Sequence, residues 1–402
     1  MMDEARCTSS KERDALLPSG VRHPKQHSAG SEGPRKCNVL IVASHLWIGG
    51  AESVMQHLAE SMDRRRFNVT VCCLKQRGSL GDELVRKGIE VLCFAEAQDA
   101  PVDYLTFIKL LKVLRSRKID VVHTHTTQGL VDATICSLLL PRVRVVHTFH
   151  FGNYPHTSTR ILWMERIFSR LVHRLFSVGE VQRKQIQSVY RLADRQISTI
   201  YNGVSIRSSA GDSTFRKRVD AENRVLIGTI ATLIAQKGLP DLLDVAKIIR
   251  DSGRKAVFVI VGEGHLRESL EAKRRELGLE ETVILTGWIT NAADIALPVF
   301  DIFFQPSFWE AMSMVILEAM AARRAIVATR VGENSRIIED GVDGLLVQPR
   351  DIGGMAAALA SLIDDAALRE RLGEAARAKV EQRFTVEHMT KAYEAIYSDL
   401  MR

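Results

Sequence analysis

Short apolar runs recur along nearly the whole chain, each separated from the next by a stretch with helical spacing, and this alternation restricts the fold more than any other feature. The runs are residues 38–43, 67–74, 89–94, 119–123, 143–146, 175–178 and 197–200, then 225–228, 257–261, 283–286, 302–304, 326–328 and 345–347. Strands that alternate with helices pair in parallel, because a helical crossover carries the chain back to the end of the sheet where the previous strand began. Parallel strands covered on both faces read as continuous apolar runs, as these do. A polar, Ser-rich, helix-poor segment at 205–220 divides the two series and reads as a linker. At 402 residues the chain exceeds what one core usually supports. The predicted architecture is therefore α/β, with two doubly wound sheets facing each other across a cleft. Its parts are a disordered tail (1–36), a first domain (37–205), a second domain (206–380) and a last helix (381–402) that packs back on the first.

Composition excludes several classes. Hydrophobic content of 46% and charged content of 26% are those of an ordinary globular protein. The excess of 55 Lys and Arg over 48 Asp and Glu, a net +7, favours anionic partners: nucleotides, acidic lipid surfaces or nucleic acid. No zinc-finger spacing, RNP signature or basic run with interleaved aromatics occurs, so nucleic acid is not expected. Cys7, Cys37, Cys72, Cys73, Cys93 and Cys136 contain no CxxC pair, and Cys72 and Cys73 would point to opposite faces of a strand. They read as reduced core thiols. Residues 1–36 lack a signal-peptide core, and no apolar run approaches the roughly 20 residues of a transmembrane helix. A cytoplasmic protein is expected, bound to a membrane at most peripherally. The stretch 160–187 reads as basic and amphipathic, with Arg160, Arg166, Arg170 and Arg174 among Trp163, Ile167 and Leu171. It suits an acidic membrane surface, although a core-facing helix with a solvated basic face is the commoner outcome.

Chemistry-bearing residues gather where the strands end. After the apolar run 299–304, Pro306 stops the ladder, and the spacing of Met312, Val315, Ile316, Ala319 and Met320 predicts a helix from about Ala311. Its free N–H groups would face the strand's carboxyl end, where α/β sheets bind anions. Glu310 then sits at the mouth, and Glu318 lies about 12 Å along. Only a long ligand such as a nucleotide diphosphate sugar could reach both; the alternative is a capping acid and a solvated helix acid. Gly49 and Gly50 follow the first strand, Gly262, Glu263 and Gly264 follow the second strand of the second series, and Lys237 lies on a loop suited to a diphosphate. His123 and His125 follow one strand, and His147 and His150 another. His150, just past its strand, is the better ligand candidate, whereas His123 and His147 read as interior groups.

In this order, Gly49-Gly50-Ala51-Glu52, Asn202-Gly203-Val204, Lys237-Gly238, Val261-Gly262-Glu263-Gly264, Pro306-Ser307, Glu310 with Glu318-Ala319-Met320-Ala321, and residues 341–347 resemble a known family. It is the retaining GT-B glycosyltransferases of family 4, also called group 1, and the resemblance covers residues 38–398. It implies two Rossmann-like domains and sugar transfer from a nucleotide diphosphate sugar to a glycan or polyprenyl- or other lipid-linked acceptor, in polysaccharide or lipopolysaccharide-type assembly. It also implies that no cofactor or metal is required. Carried over by position, Glu318 would hold the ribose hydroxyls and Glu310 the transferred sugar. Lys237 would bind the diphosphate, with the N–H groups of Met312, Ser313 and Met314 beside Ala311, and His150 would stand near sugar and leaving phosphate. Gly49, Gly50, Gly262 and Glu263 would frame the donor, and the acceptor would bind around 151–159 and the Arg160 helix. The chain departs from the pattern at several points. Thr232 stands where a second diphosphate-binding arginine is usual, with Arg254, Arg323, Arg324 and Arg330 as candidate substitutes. Ala311 replaces a glycine, Arg323 and Ala325 a Gly and a Pro, Glu333 the second glycine of a Gly-Gly turn, and Arg336 an acid. Thr232 and the altered loop after Glu310 keep a second reading open, a non-catalytic scaffold that binds a nucleotide sugar or glycan, and a third is a nucleotide-sugar epimerase or hydrolase on the same architecture.

Overall fold

The computed structural model describes residues 35–47, 49–95, 103, 105–150, 158–206 and 211–402. The expected tail up to residue 34, most of the expected acceptor segment (151–157) and linker residues 207–210 lie outside the described residues. Two sheets carry the chain, and every strand in them pairs in parallel. The first holds β1 (Cys37–Ala43), β2 (Phe67–Cys73), β3 (Glu90–Cys93), β4 (Val121–Thr124), β5 (Arg144–Phe149), β6 (Arg174–Ser177) and β7 (Ile197–Thr199). The second holds β8 (Val225–Ile230), β9 (Ala256–Val261), β10 (Val283–Gly287), β11 (Ile302–Gln305), β12 (Ala325–Thr329) and β13 (Leu345–Val347).

Strand orders 3-2-1-4-5-6-7 and 10-9-8-11-12-13 place a reversal between β1 and β4 and another between β8 and β11. At such a switch point the connections leave in opposite directions and open a crevice above the carboxyl ends. The inner strands are buried on both faces, β9 along its entire length, which is why they read as unbroken apolar runs. Residues Lys36–Arg402 form one compact unit that holds both sheets.

Three sequence expectations are corrected. The basic stretch 160–187 is not one helix: it is helix Thr159–Phe168, strand β6 and helix Glu180–Tyr190. The polar segment 205–220 contains helix Ser213–Arg218, because the Asp212 carboxylate caps Thr214 N–H at 2.9 Å and Phe215 buries against Phe300. Cys93 is exposed, since β3 is an edge strand, whereas Cys72 and Cys73 are buried.

The last segment crosses between the sheets. Val204 N–H donates to Phe384 O (2.9 Å) and Val386 N–H to Val204 O (3.1 Å), so the junction sequence pairs with the chain as it returns. Helix Val386–Leu400 then packs on helix Gly50–Ser61 and buries Tyr393 and Tyr397. Full burial of an apolar side chain contributes about 1.5–3 kcal/mol, so this helix is a substantial part of the first domain's core.

Candidate active site

One wall of the cleft is built by the loop that leaves β11. Helix Met314–Ala321 starts three residues later than the apolar spacing predicts, because Ser313 is its cap: Ser313 Oγ accepts from Ile316 N–H (3.4 Å) and from Gln305 Nε2 (2.9 Å). Residues 306–312 are therefore loop, and Glu318 lies about 6 Å into the helix rather than 12 Å. Glu310 is buried, and its Oε1 accepts from Lys237 Nζ (2.6 Å) and Ser307 Oγ (2.8 Å). Lys237 ends the short turn Ala235–Lys237, which is stitched to the same loop: Phe308 N–H donates to Gln236 O (2.7 Å), and Gln236 Nε2 donates to Trp309 O (3.0 Å).

Two glycines hold this loop from either side. Gly238 has φ 62° and Gly332 φ 47°, the left-handed region that a Cβ disfavours. A Cβ on Gly238 would also collide with the carbonyl of Pro306, and one on Gly332 with the carbonyl of Glu310. By contrast Gly49 is extended, at φ −165°, and what its missing side chain leaves room for is the Glu52 carboxylate.

The opposite wall comes from the ends of β4 and β5. His125 Nδ1 and His150 Nε2 are 2.7 Å apart with rings stacked at 5.0 Å, so a single proton bridges them. Burial pushes His150 down to about 3 and His125 well below the usual imidazole range, so both are neutral near pH 7. His125 Nε2 is buried without a hydrogen-bond partner among the described residues. The sequence reading did not single out His125; the signal was its place one residue beyond β4, in line with His150 beyond β5. His123 and His147 are interior: His123 Nδ1 meets Tyr397 OH (2.5 Å) and its Nε2 meets Thr148 Oγ1 (2.8 Å), while His147 Nδ1 meets Thr124 Oγ1 (2.8 Å). Glu52, 3.7 Å from His45 Nδ1, is raised above the usual carboxylate range by burial.

Gly49, Gly50, His150, Lys237, Gly262, Glu310, residues 311–314 and Glu318 line this one cleft, of ≈ 910 Å³. Glu263 does not line it; its carboxylate pairs with Arg267 at 3.1 Å. Thr232 lines the cleft, and Lys237 is the only lysine or arginine among the described lining residues. The candidate substitutes for the missing arginine are engaged elsewhere. Arg254 pairs with Asp364 (2.7 Å), Arg323 with Glu374 (3.4 Å) and Arg330 with Asp340 (2.8 Å), and Arg324 donates to Phe300 O (2.8 Å). The site thus combines a helix start, one fixed ammonium, two carboxylates and a neutral imidazole pair, a set suited to an anionic ligand with hydroxyl-rich ends.

Residues 212–379 match the family model Glycosyl transferases group 1, and residues 48–208 match Glycosyltransferase Family 4. The chain is 26% identical over 371 residues to UDP-Gal:alpha-D-GlcNAc-diphosphoundecaprenol alpha-1,3-galactosyltransferase of Escherichia coli, covering 88% of this chain and 95% of that one. It is 29% identical over 290 residues to alpha-D-kanosaminyltransferase of Streptomyces kanamyceticus, covering 66% and 75%. Among solved structures, Anabaena HepE in complex with UDP-glucose has the same fold, with a TM-score of 0.79 at 21% identity over 90% of this chain and 99% of that one.

Proposed function

We propose that this chain, whose two halves match the models Glycosyl transferases group 1 and Glycosyltransferase Family 4, is a GT-B glycosyltransferase that transfers a sugar from a nucleoside diphosphate donor to a hydroxyl of a glycan or lipid-linked acceptor with retained anomeric configuration. The observation that carries this reading is Lys237 Nζ held 2.6 Å from Glu310 at the start of helix Met314–Ala321, directly off the β8/β11 switch point. In the reaction the bond from the anomeric carbon to the diphosphate oxygen breaks, and the acceptor oxygen bonds to the same face. Negative charge grows on the diphosphate, where Lys237 and the N–H groups of Met312, Ser313 and Met314 stabilise it, and no metal is invoked. His150, with a pKa near 3, is a poor base, so the acceptor's proton passes to the departing phosphate oxygen. Glu310 orients the sugar and Glu318 the ribose.

UDP-sugars are the first donors to test, since the name of the E. coli relative specifies UDP-Gal and the Anabaena HepE structure is a complex with UDP-glucose. The E. coli relative's diphosphoundecaprenol acceptor suggests a polyprenyl diphosphate-linked sugar here, which suits polysaccharide or lipopolysaccharide-type assembly on the cytoplasmic side of a membrane. Helix Thr159–Phe168 supports peripheral contact with an acidic bilayer: Trp163 is 57% exposed, and Ile167 and Leu171 continue its stripe beside Arg160, Arg170 and Arg174. Co-flotation with phosphatidylglycerol vesicles that survives Trp163→Ser with Ile167→Ser would sink that assignment. No helix among the described residues is long and apolar enough to cross a membrane.

The experiment for the transfer itself is incubation with UDP-hexoses and a short-chain polyprenyl diphosphate-linked acceptor, with the product's anomeric configuration read by NMR. A product of inverted configuration contradicts the retaining reading. A second reading, a nucleotide-sugar-binding scaffold without turnover, is favoured by Thr232 and by Lys237 being the only lysine or arginine among the described lining residues. Nucleotide binding with no transfer to any acceptor would select it.

A further inference from the structure

Helix Glu180–Tyr190 of the first domain has no cap of its own: its N-cap is Gly179, without a side chain. The cap comes from the other domain. Glu333, fully buried after β12, accepts Glu180 N–H on Oε1 (3.1 Å) and Val181 N–H on Oε2 (3.0 Å). A Cβ at Gly179 would stand 2.5 Å from Glu333 Oε2, so the glutamate cap requires glycine at 179.

The same residue also holds the loop that lines the cleft. Its N–H donates to Ala311 O (3.1 Å), and its neighbour Gly332 packs against the carbonyl of Glu310. Arg336 Nε, 3.6 Å from Oε1, is the one charged side chain paired with it among the described residues. A carboxylate at the positive end of a helix, with two N–H donors, is a strong and geometrically exacting contact. We propose that Glu333 is a positioning residue. It sets how the first domain seats against the second, and through Ala311 it transmits that seating to the loop carrying Glu310. Only the consequence for donor binding rests on the proposed glycosyl transfer.

The test is amide hydrogen exchange on the full chain and on Glu333→Gln and Glu333→Gly, without and with UDP. In Glu333→Gly, amides of Glu180 and Val181 and those of residues 308–312 should exchange roughly ten- to hundredfold faster, the scale of a lost hydrogen bond to a charged group, while β1 and β9 stay protected. UDP affinity should fall about tenfold, and Glu333→Gln, which keeps one acceptor oxygen, should recover most of both effects. Faster exchange confined to residues 180–181, with 308–312 and UDP affinity unchanged, would reduce Glu333 to a local cap and overturn the proposal. If Glu333→Gly does not fold, the graded exchange of Glu333→Gln decides the same question. Failure of the wild type to bind UDP would count against the donor reading alone, because the coupling between the two segments is read without nucleotide.

Discussion

The two walls of the cleft are built in different ways. The second-domain wall is a loop held by other loops of the same domain, with Gly238 and Gly332 at positive φ and Lys237 and Glu310 locked together at 2.6 Å. The first-domain wall hangs from strand ends, where His125 and His150 are backed by His123, which leans on Tyr397 from a helix 274 residues further along the chain. One wall is fixed by local stereochemistry and an ion pair, the other by burial. Charge should therefore be the lever that breaks the first, and pH the lever that breaks the second.

Lys237→Ala should have the largest effect. It leaves the buried Glu310 carboxylate without its cation, which costs about 3–5 kcal/mol, and calorimetry should show a lowered Tm. Lys237→Ala combined with Glu310→Gln should regain most of that stability without regaining nucleotide binding; a double variant as unstable as the single would show that the pair is not what holds the wall. Next, Glu310→Gln alone should lower transfer about a hundredfold while the circular dichroism spectrum is kept, the scale of a lost electrostatic contact at a reacting sugar. Activity within about threefold of wild type would remove Glu310 from the site.

For the histidine wall the expected signature is a pH slope. His123, His125, His147 and His150 are all held low by burial, His147 to about 4 and His150 to about 3, whereas unfolded imidazoles titrate near 6.5. The unfolded chain thus binds more protons between those values. Stability is complete above about pH 6.5 and falls as pH drops toward 4, by up to about 1.4 kcal/mol per pH unit for each histidine. Tm measured from pH 7.5 to 4.5 should decline steeply, and His147→Gln should flatten the decline; an unchanged slope in that variant would sink the assignment. The smallest effect expected is that of Tyr397→Phe, which keeps the buried ring, removes the partner of His123 Nδ1 and should cost about 1 kcal/mol in urea unfolding.

This contrast also explains what the sequence could tell. The alternation of apolar runs sufficed for two parallel sheets, because strands buried on both faces announce themselves by composition alone. Lys237, Glu310 and Glu318 were legible because strand ends and helix starts are local features. The start of helix Met314–Ala321 was misplaced because apolar periodicity runs through Met312, whose Sδ instead meets Asn202 N–H across the junction at 3.2 Å. Glu263 was misread because its neighbour Arg267, one helical turn on, draws the carboxylate away from the cleft. The roles of His125, Glu52 and Glu333 were not legible for a common reason: each takes its significance from a burial or a partner that only the folded chain brings near.

The central claim is that this cleft binds a nucleoside diphosphate through Lys237 and the loop before helix Met314–Ala321. The most direct measurement is calorimetric titration of UDP, GDP and ADP into the wild type, Glu318→Ala, and Lys237→Ala combined with Glu310→Gln. The account predicts that one nucleotide binds the wild type, more weakly Glu318→Ala, and not the double variant. Equal binding to all three proteins, or no binding of any nucleotide to the wild type, would contradict it.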